Sequence, residues 1–284
     1  MKNFARLLLS FSAVAVVSFA ACPAGTNASQ IIQSSAWAFQ LTSGGDSSRP
    51  PNSVSGSAVV GFFKPLSPGV LQVVVSSSNA GSTVRRQEAT ARYILYPNCT
   101  GGELLFYVNG LGFQLEFAFT DNFTEMFFVT DDWNARYGGT SSLTGTARKT
   151  TSACPAGLGN PLNILDGTNW SFRTFSAYYA FGPGSASVGV FSPVVTGGAG
   201  RLTGTETINY GSFGPIVSHA QLTGRYIIYP DCSGGEIMLM NRGNPVPYLQ
   251  MEFVFAGPNF GEMFMLNDAI SNSQSVVAGY ASKN

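Results

Sequence analysis

The sequence predicts an all-β protein built from two copies of one eight-stranded antiparallel, up-and-down barrel lobe. Three observations lead to this prediction: the composition, an internal repeat, and the number of short apolar runs in each copy. Charged residues make up only 11% of the chain, while it contains 22 Phe, 11 Tyr and 33 Gly. Aromatic residues favour strands and glycine favours turns, so this composition leaves little material for solvated helices.

Residues 1–20 have the pattern of an export signal. Lys2 and Arg6 precede an apolar run from Leu7 to Val17, and Ser18-Phe19-Ala20 has the small-x-small form of a cleavage site. The run is shorter than the roughly 20 residues that a membrane-spanning helix needs. We therefore expect a secreted or periplasmic chain, cleaved near Ala20, with no transmembrane segment.

The charge balance argues against two classes of partner. The full chain carries 15 basic and 15 acidic residues, and loss of the leader removes two of the basic ones. Nucleic acids and anionic membranes select strongly basic surfaces, so we expect neither as a partner. The chain also lacks the phosphate-binding and dinucleotide-binding fingerprints, and we predict no cofactor.

An internal repeat of about 130 residues runs through the chain. The stretch RYILYPNCTGGE at 92–103 recurs as RYIIYPDCSGGE at 225–236, and QLEFAF at 114–119 recurs as QMEFVF at 250–255. The order of these segments is the same in both halves. Each copy has the size of an independent domain, which predicts one lobe over residues 21–150 and a second over 151–284.

The four cysteines follow the same repeat. Cys22 matches Cys154 and Cys99 matches Cys232, so two equivalent lobes would form the pairs 22–99 and 154–232. Exported thiols tend to oxidise, and the sequence has no C-x-x-C pair, which favours structural disulfides over a metal site. Lipidation of Cys22 is an alternative that would remove the first pair.

Each copy contains eight apolar or alternating runs separated by turn residues. In the first lobe they lie near 35–42, 55–63, 68–77, 83–97, 102–109, 112–120, 124–131 and 140–148. In the second they lie near 168–176, 185–192, 199–209, 215–229, 234–241, 248–256, 261–267 and 274–281. Eight strands are enough to close a small barrel, with two β-sandwiches as the alternative.

Alternation along individual strands indicates which surfaces are covered. In QLEFAF, Leu115, Phe117 and Phe119 share one face, so the other face is free to meet water. In RYILYP both faces are apolar, which predicts cover on both sides. We expect the two lobes to contact each other through this strand, with an N-terminal segment as the alternative source of the cover.

Matched aromatic and charged residues define a candidate ligand cavity in each lobe. The repeated aromatic residues, Phe127 among them, would line a cavity or simply fill the barrel interior. The cavity residues are Trp37, Arg92, Glu116 and Phe117 in the first lobe and Trp170, Arg225, Glu252 and Phe253 in the second.

No catalytic residue is predicted. The one histidine, His219, has no nucleophile pattern around it, and no His/Cys set for a metal exists. The matched glutamates allow an acid/base hypothesis, but duplication alone also explains their matching.

The pattern Y-x-x-x-P-x-C-x-G-G-E, followed by QLEF and F-x-E-M-F strands, resembles a group of uncharacterised secreted bacterial proteins with a G-x-Y-x-x-x-x-x-C-x-G lobe motif. Ala91 departs from that motif, whereas Gly224 keeps its glycine. The resemblance implies no activity. By architecture alone the lobes are similar to calycin and allene oxide cyclase barrels.

Three functions are compatible with this sequence. The first is a binding module for a small apolar or amphipathic ligand held inside one or both barrels. The second is a structural or surface-interaction protein with solid barrels. The third is a cyclase-like or carbohydrate-active enzyme that uses the repeated glutamates. The oligomeric state is left open.

Overall fold

The structure is a computed structural model of the 284-residue chain. It describes residues 22, 28–43, 57–79, 82–108, 111–120, 122–130, 143–151, 153–176, 186–209, 215–240, 247–267 and 276–284. The predicted export signal at 1–20 lies outside these residues. The predicted lobe boundary between residues 150 and 151 stays a prediction.

The first lobe is a closed antiparallel barrel of eight strands in sequence order. Its strands are β1 Ala36–Ser43, β2 Ser57–Ser67, β3 Val70–Asn79, β4 Ser82–Leu95, β5 Gly101–Val108, β6 Leu111–Phe119, β7 Glu125–Thr130 and β8 Leu143–Thr150. Closure is made by β1, which pairs with β2 on one side and with β8 on the other. The predicted up-and-down barrel is confirmed, and the sandwich alternative is wrong.

The second lobe repeats this barrel with the same strand order. Its strands are β9 Trp170–Ser176, β10 Ala186–Thr196, β11 Ala199–Asn209, β12 Val217–Ile228, β13 Gly234–Met240, β14 Pro247–Ala256, β15 Glu262–Asn267 and β16 Val277–Lys283. Equivalent residues keep the same register, since Trp37 pairs with Phe63 and Trp170 pairs with Phe191.

Aromatic side chains fill the interior of both barrels. In the first, the rings of Trp37 and Phe63 stack with centroids 6.3 Å apart, and Phe117 meets Phe119 edge to face at 5.3 Å. In the second, Phe253 and Phe255 make the same edge-to-face contact at 5.2 Å. Packing of this kind is typical of the core of a small barrel.

A short segment before the first strand of each lobe packs against the interior. In lobe 1 this is the helix α1, Ala28–Gln33, which buries Ile31 and Ile32 in the core. In lobe 2 it is a 3₁₀ turn, Pro161–Ile164, whose Leu162 carbonyl accepts a hydrogen bond from the Tyr226 hydroxyl at 3.2 Å.

The repeated Y-P-x-C-x-G-G stretch is a tight turn tied to this segment by a disulfide. Cys22 pairs with Cys99 and Cys154 pairs with Cys232, as the repeat predicted. Its first glycine lies against the neighbouring strand: a Cβ on Gly101 would stand 1.9 Å from the Phe117 carbonyl oxygen. Because no side chain fits there, this close strand approach requires glycine.

Two expectations about strand faces are wrong. Phe127 lies outside the barrel, because Met126 and Phe128 occupy the inward positions of β7. The RYILYP strand does not form the main contact between the lobes. Tyr93 points inward, but Ile94 on the outer face is 65% exposed.

Candidate interaction surfaces

The two lobes contact each other through outer surfaces that are not equivalent, because each lobe contributes a different part of its barrel wall. Face A is the outer surface of β1–β3 in lobe 1, and face B is the outer surface of β14–β16 in lobe 2. Together they bury one apolar cluster that contains residues of both lobes. Its members on face A are Ala38, Ala58, Val60, Phe62 and Val74, and on face B they are Val254, Ala256, Phe264, Leu266, Val276 and Ala278. We call this contact the joint.

Polar groups fix the register of the joint. The Gln40 side chain on face A donates from Nε2 to the carbonyls of Met265 and Gly279, both at 2.9 Å. The Thr150 hydroxyl donates to the Phe255 carbonyl at 2.8 Å. Backbone carbonyls of lobe 2 thus accept hydrogen bonds from side chains of lobe 1, which spares these side-chain donors the cost of burial without a partner.

Arg148 links the lobes at one end of the joint. Its Nε donates to Glu125 in its own lobe at 3.1 Å, and one terminal nitrogen forms an ion pair with Glu262 of lobe 2. Burial lowers the pKa of Arg148, but the hydrogen bonds and charges of Glu262 and Glu125 outweigh it and raise the pKa above its ordinary value. A cleft of about 430 Å³ lies beside this network, between the lobes.

A second charged corner lies at the other end of the joint. Arg86 of β4 donates to Ser233 at 3.1 Å and Asp231 at 3.0 Å, and its guanidinium lies 4.0 Å from the centre of the Tyr229 ring. Its neighbour Arg85 forms an ion pair with Glu236 at 3.6 Å. The arginines of one lobe therefore hold the cysteine turn of the other.

Glu252 lies buried at this corner. It faces Glu236 across the β13–β14 pair and is 4% exposed. Burial raises the pKa of Glu252, while a hydrogen bond with Ser76 and the charge of Arg86 oppose the rise. Ser76 and Arg86 both belong to lobe 1, so the second lobe depends on the first to accommodate this carboxylate.

Each lobe also has, elsewhere on its barrel, the equivalent of the face that the other lobe contributes to the joint. Lobe 1 repeats face B on the outer side of β6–β8, and lobe 2 repeats face A on the outer side of β9–β11. The lobe 1 residues are Ala118, Thr120, Phe127, Val129, Thr144 and Thr146; those of lobe 2 are Ser171, Arg173, Ala186, Val188, Val190 and Thr205. We call these surfaces the free face B and the free face A.

The free faces expose side chains whose counterparts are buried. Phe127 is 52% exposed and its equivalent Phe264 is 3% exposed. Val188 is 57% exposed and its equivalent Val60 is fully buried. Val129 and Val190 are also exposed, whereas their equivalents Leu266 and Phe62 lie in the joint. Large apolar side chains grouped on a surface are typical of an interaction site.

The sequence-predicted cavity residues fall on opposite sides of the barrel wall. The aromatic members, Trp37, Phe117, Trp170 and Phe253, lie inside. The charged members Arg92, Glu116 and Arg225 are exposed, and Glu252 is in the joint. The structure thus does not bring the charged and aromatic members together in one interior, and their role in ligand binding stays a prediction.

Sequence reasoning missed a polar layer inside the second barrel. Thr174 and Ser187 share a hydrogen bond at 2.7 Å, and the buried Glu206 accepts one from the Tyr248 hydroxyl. Burial raises the pKa of Glu206, and the hydrogen bond from Tyr248 opposes the rise. The register shows these positions to be equivalent to Leu41, Val59 and Val75 of lobe 1; the only sequence signal was this apolar-to-polar change between copies.

The described residues hold neither a membrane-spanning helix nor a cluster of metal ligands. They contain no helix that is long and apolar enough to cross a membrane. Within the same residues, no group of three or more His, Cys, Asp and Glu side chains is placed to hold a metal ion.

No protein-family model matches the chain. No curated protein sequence matches it either. Of the resemblance to uncharacterised secreted proteins, the structure confirms the β-rich, two-lobed architecture, and no family or motif is confirmed.

Among solved structures, the chain is similar to the isotype 1 transferrin binding protein B of serogroup B Neisseria meningitidis. The identity is 12%, the match covers 83% of this chain and 54% of that one, and the TM-score is 0.32. This chain thus spans about half the length of that protein. A protein of unknown function from the DUF3598 family of Nostoc punctiforme is also 12% identical, with coverage of 91% and 98% and a TM-score of 0.24.

A putative AttH from Nitrosomonas europaea is 10% identical, with coverage of 88% of this chain and 92% of that one and a TM-score of 0.27. With identities and TM-scores this low, these similarities carry no argument about what the chain does.

Proposed function

We propose that this chain is an extracytoplasmic interaction protein that works through the outer walls of two filled barrels. The two disulfides support the compartment, because such bonds persist in oxidising surroundings. The chain would act as a rigid body that presents surfaces, in line with the second of the three functions expected from sequence.

The observation that carries this proposal is the contrast between interior and exterior. Inside, the aromatic rings of both barrels lie in contact with one another. Outside, Phe127 and Val188 are more than half exposed. A side chain that fills a core contributes to stability in any folded protein, whereas grouped exposed apolar side chains require another explanation.

The other two functions receive less support. A small apolar ligand inside either barrel would have to displace side chains such as Trp37 or Phe253, both fully buried. An enzyme that used the repeated glutamates would need like surroundings for equivalent residues. Both glutamates have a hydrogen bond with the equivalent tyrosine, Tyr96 or Tyr229, but Glu116 is exposed while Glu252 is buried in the joint.

Titration with a fluorescent fatty acid tests the filled interior. We expect no saturable binding to the oxidised chain. The Phe117→Ala variant is the matched control, because removing a buried ring leaves an apolar cavity that a ligand can enter. Saturable binding of one or two molecules per unaltered chain, lost when the interior is filled further by Ala147→Leu, would contradict the proposal.

A further inference from the structure

The joint is heterologous, since it pairs face A of one lobe with face B of the other. Because each lobe has a face A and a face B and the joint uses one of each, one face A and one face B remain outside the joint. We propose that a second copy of this chain docks on these faces, its free face A against the free face B of the first copy, in a head-to-tail contact that reproduces the joint. This inference rests on the proposed function and names the partner.

The free faces retain the apolar pattern of the joint. In the joint, Phe264 and Leu266 of β15 pack against the Val60 and Phe62 side of β2. Across two copies, Phe127 and Val129 of one would meet Val188 and Val190 of the next. All four of these side chains are among the exposed large apolar residues of the chain.

The charged corner is reproduced in weaker form. Arg86 and His219 are equivalent: both have positive φ, and the backbone N–H of each donates to the equivalent hydroxyl, Ser76 or Thr207. Asn98 stands where Asp231 does in lobe 2. A second copy would therefore place His219 beside Tyr96 and Asn98, where the joint has Arg86 beside Tyr229 and Asp231.

The differences between the faces point to a reversible contact. Thr146 stands for Tyr280, Thr205 for Val74, and Val190 for Phe62, so less apolar surface is buried. The intramolecular joint also gains from the covalent connection, which two separate copies lack. We therefore expect association that rises with concentration.

The geometry also fixes the form of the assembly. A dimer in which each free face met its own kind would not reproduce the joint, which pairs the two unlike faces. A heterologous contact continues until it closes into a ring or extends as a filament. In a ring every lobe would have both of its faces covered, and in a filament every lobe except the two at its ends.

Sedimentation velocity of the oxidised full chain at rising concentration tests the proposal. We expect the unaltered chain to form assemblies in proportions that rise with concentration. Phe127→Asp blocks the free face B and Val188→Asp blocks the free face A, and each variant alone should sediment as a monomer. Mixed together, the two should form a complex of one copy of each and nothing larger, because each supplies the face that the other has lost.

Matched controls and a strengthening variant complete the design. Ile94→Asp and Ile227→Asp place the same charge on exposed apolar residues outside both faces, and both should associate like the unaltered chain. His219→Arg combined with Asn98→Asp restores the Arg86–Asp231 pair at the new contact and should shift association to about tenfold lower concentration.

Each outcome decides between named alternatives. A chain that stays monomeric up to about 100 µM, also with the strengthening variant, overturns self-association. It leaves the interaction-protein proposal standing if fatty acid titration remains negative. Dimers of Val188→Asp with itself would overturn the head-to-tail arrangement, and saturable fatty acid binding would overturn the proposed function itself.

Discussion

The two lobes share strand order, register and disulfide, yet the same wall positions lie in opposite surroundings. Phe264 of lobe 2 is buried in the joint, while its equivalent Phe127 of lobe 1 is half exposed. The reverse holds on the other side, where Val60 of lobe 1 is buried and Val188 of lobe 2 is exposed. Duplication preserved both halves of a contact in each lobe, and the fold uses only one half of each.

The interiors differ as well, and one layer changes from apolar to polar. Lobe 1 has Leu41, Val59 and Val75 where lobe 2 has Thr174, Ser187 and Glu206. The layer nearest the disulfide is aromatic in both lobes. The core near the disulfide and the cysteine turn are therefore common to both lobes, while the wall and the far layer are where the copies have diverged.

The largest effect on stability is expected from removing the disulfide that each lobe contains. Replacing both cysteines of either disulfide by serine should cost that lobe about 4–5 kcal/mol of unfolding free energy, because each bond closes a loop of similar length. Urea unfolding of Cys22→Ser/Cys99→Ser and Cys154→Ser/Cys232→Ser measures both. Strongly unequal losses would show that the lobes are not equivalent in their dependence on the bond.

The next largest effect on stability is expected at two equivalent wall positions, one buried and one exposed. Phe264→Ala should cost about 3–5 kcal/mol, because it leaves a cavity in the joint. Phe127→Ala at the matching exposed position should change the unfolding free energy by no more than about 0.5 kcal/mol. Urea unfolding in dilute solution, where copies are separate, gives both values. Equal losses would mean that Phe127 is covered within its own chain.

A smaller effect on stability is expected at the two buried tryptophans, which differ in the hydrogen bonding of the indole nitrogen. Trp170 donates from Nε1 to Thr168 at 2.8 Å, whereas Nε1 of Trp37 is buried with no hydrogen-bond partner among the described residues. Trp170→Phe should therefore cost about 1 kcal/mol more than Trp37→Phe, since only the first change breaks a hydrogen bond. Parallel thermal and urea unfolding of the two variants checks the difference.

The smallest effect concerns the polar layer of lobe 2 and depends on pH. Burial raises the folded-state pKa of Glu206, so the folded state binds its proton more tightly than the unfolded state does. Its contribution to stability is then fully present below the unfolded pKa of about 4.3 and is lost as pH rises through the folded pKa.

Glu206→Gln should consequently raise the Tm near pH 7 and leave it almost unchanged near pH 4. The amide oxygen still accepts the Tyr248 hydrogen bond. Melting curves between pH 4 and 8 provide the test. An increase in Tm that is the same at every pH would assign the effect to packing instead of ionisation.

Much of the fold was predictable because the chain repeats itself. The matched cysteines gave both disulfides, and turn residues separated sixteen runs that match the sixteen strands closely. Strand alternation was less informative where both faces are apolar. In EMFFV, Met126 and Phe128 compete with Phe127 and Val129 for the interior, and alternation alone does not say which pair points inward.

The interaction surfaces were harder to predict. The joint uses face A of one lobe and face B of the other, and some positions of each face carry the same residue in the buried and in the exposed copy. Ala58 and Ala186, or Val60 and Val188, are the same residue types in both surroundings. Their burial depends on which lobe lies alongside, and that is a property of the folded chain as a whole.

Native mass spectrometry of the chain purified from its own source tests the central claim, that this protein acts through its outer walls. The account predicts the mass of the bare chain with two disulfides, together with assemblies at whole multiples of that mass. A mass excess that denaturation releases would instead place a small molecule in the protein and contradict the account.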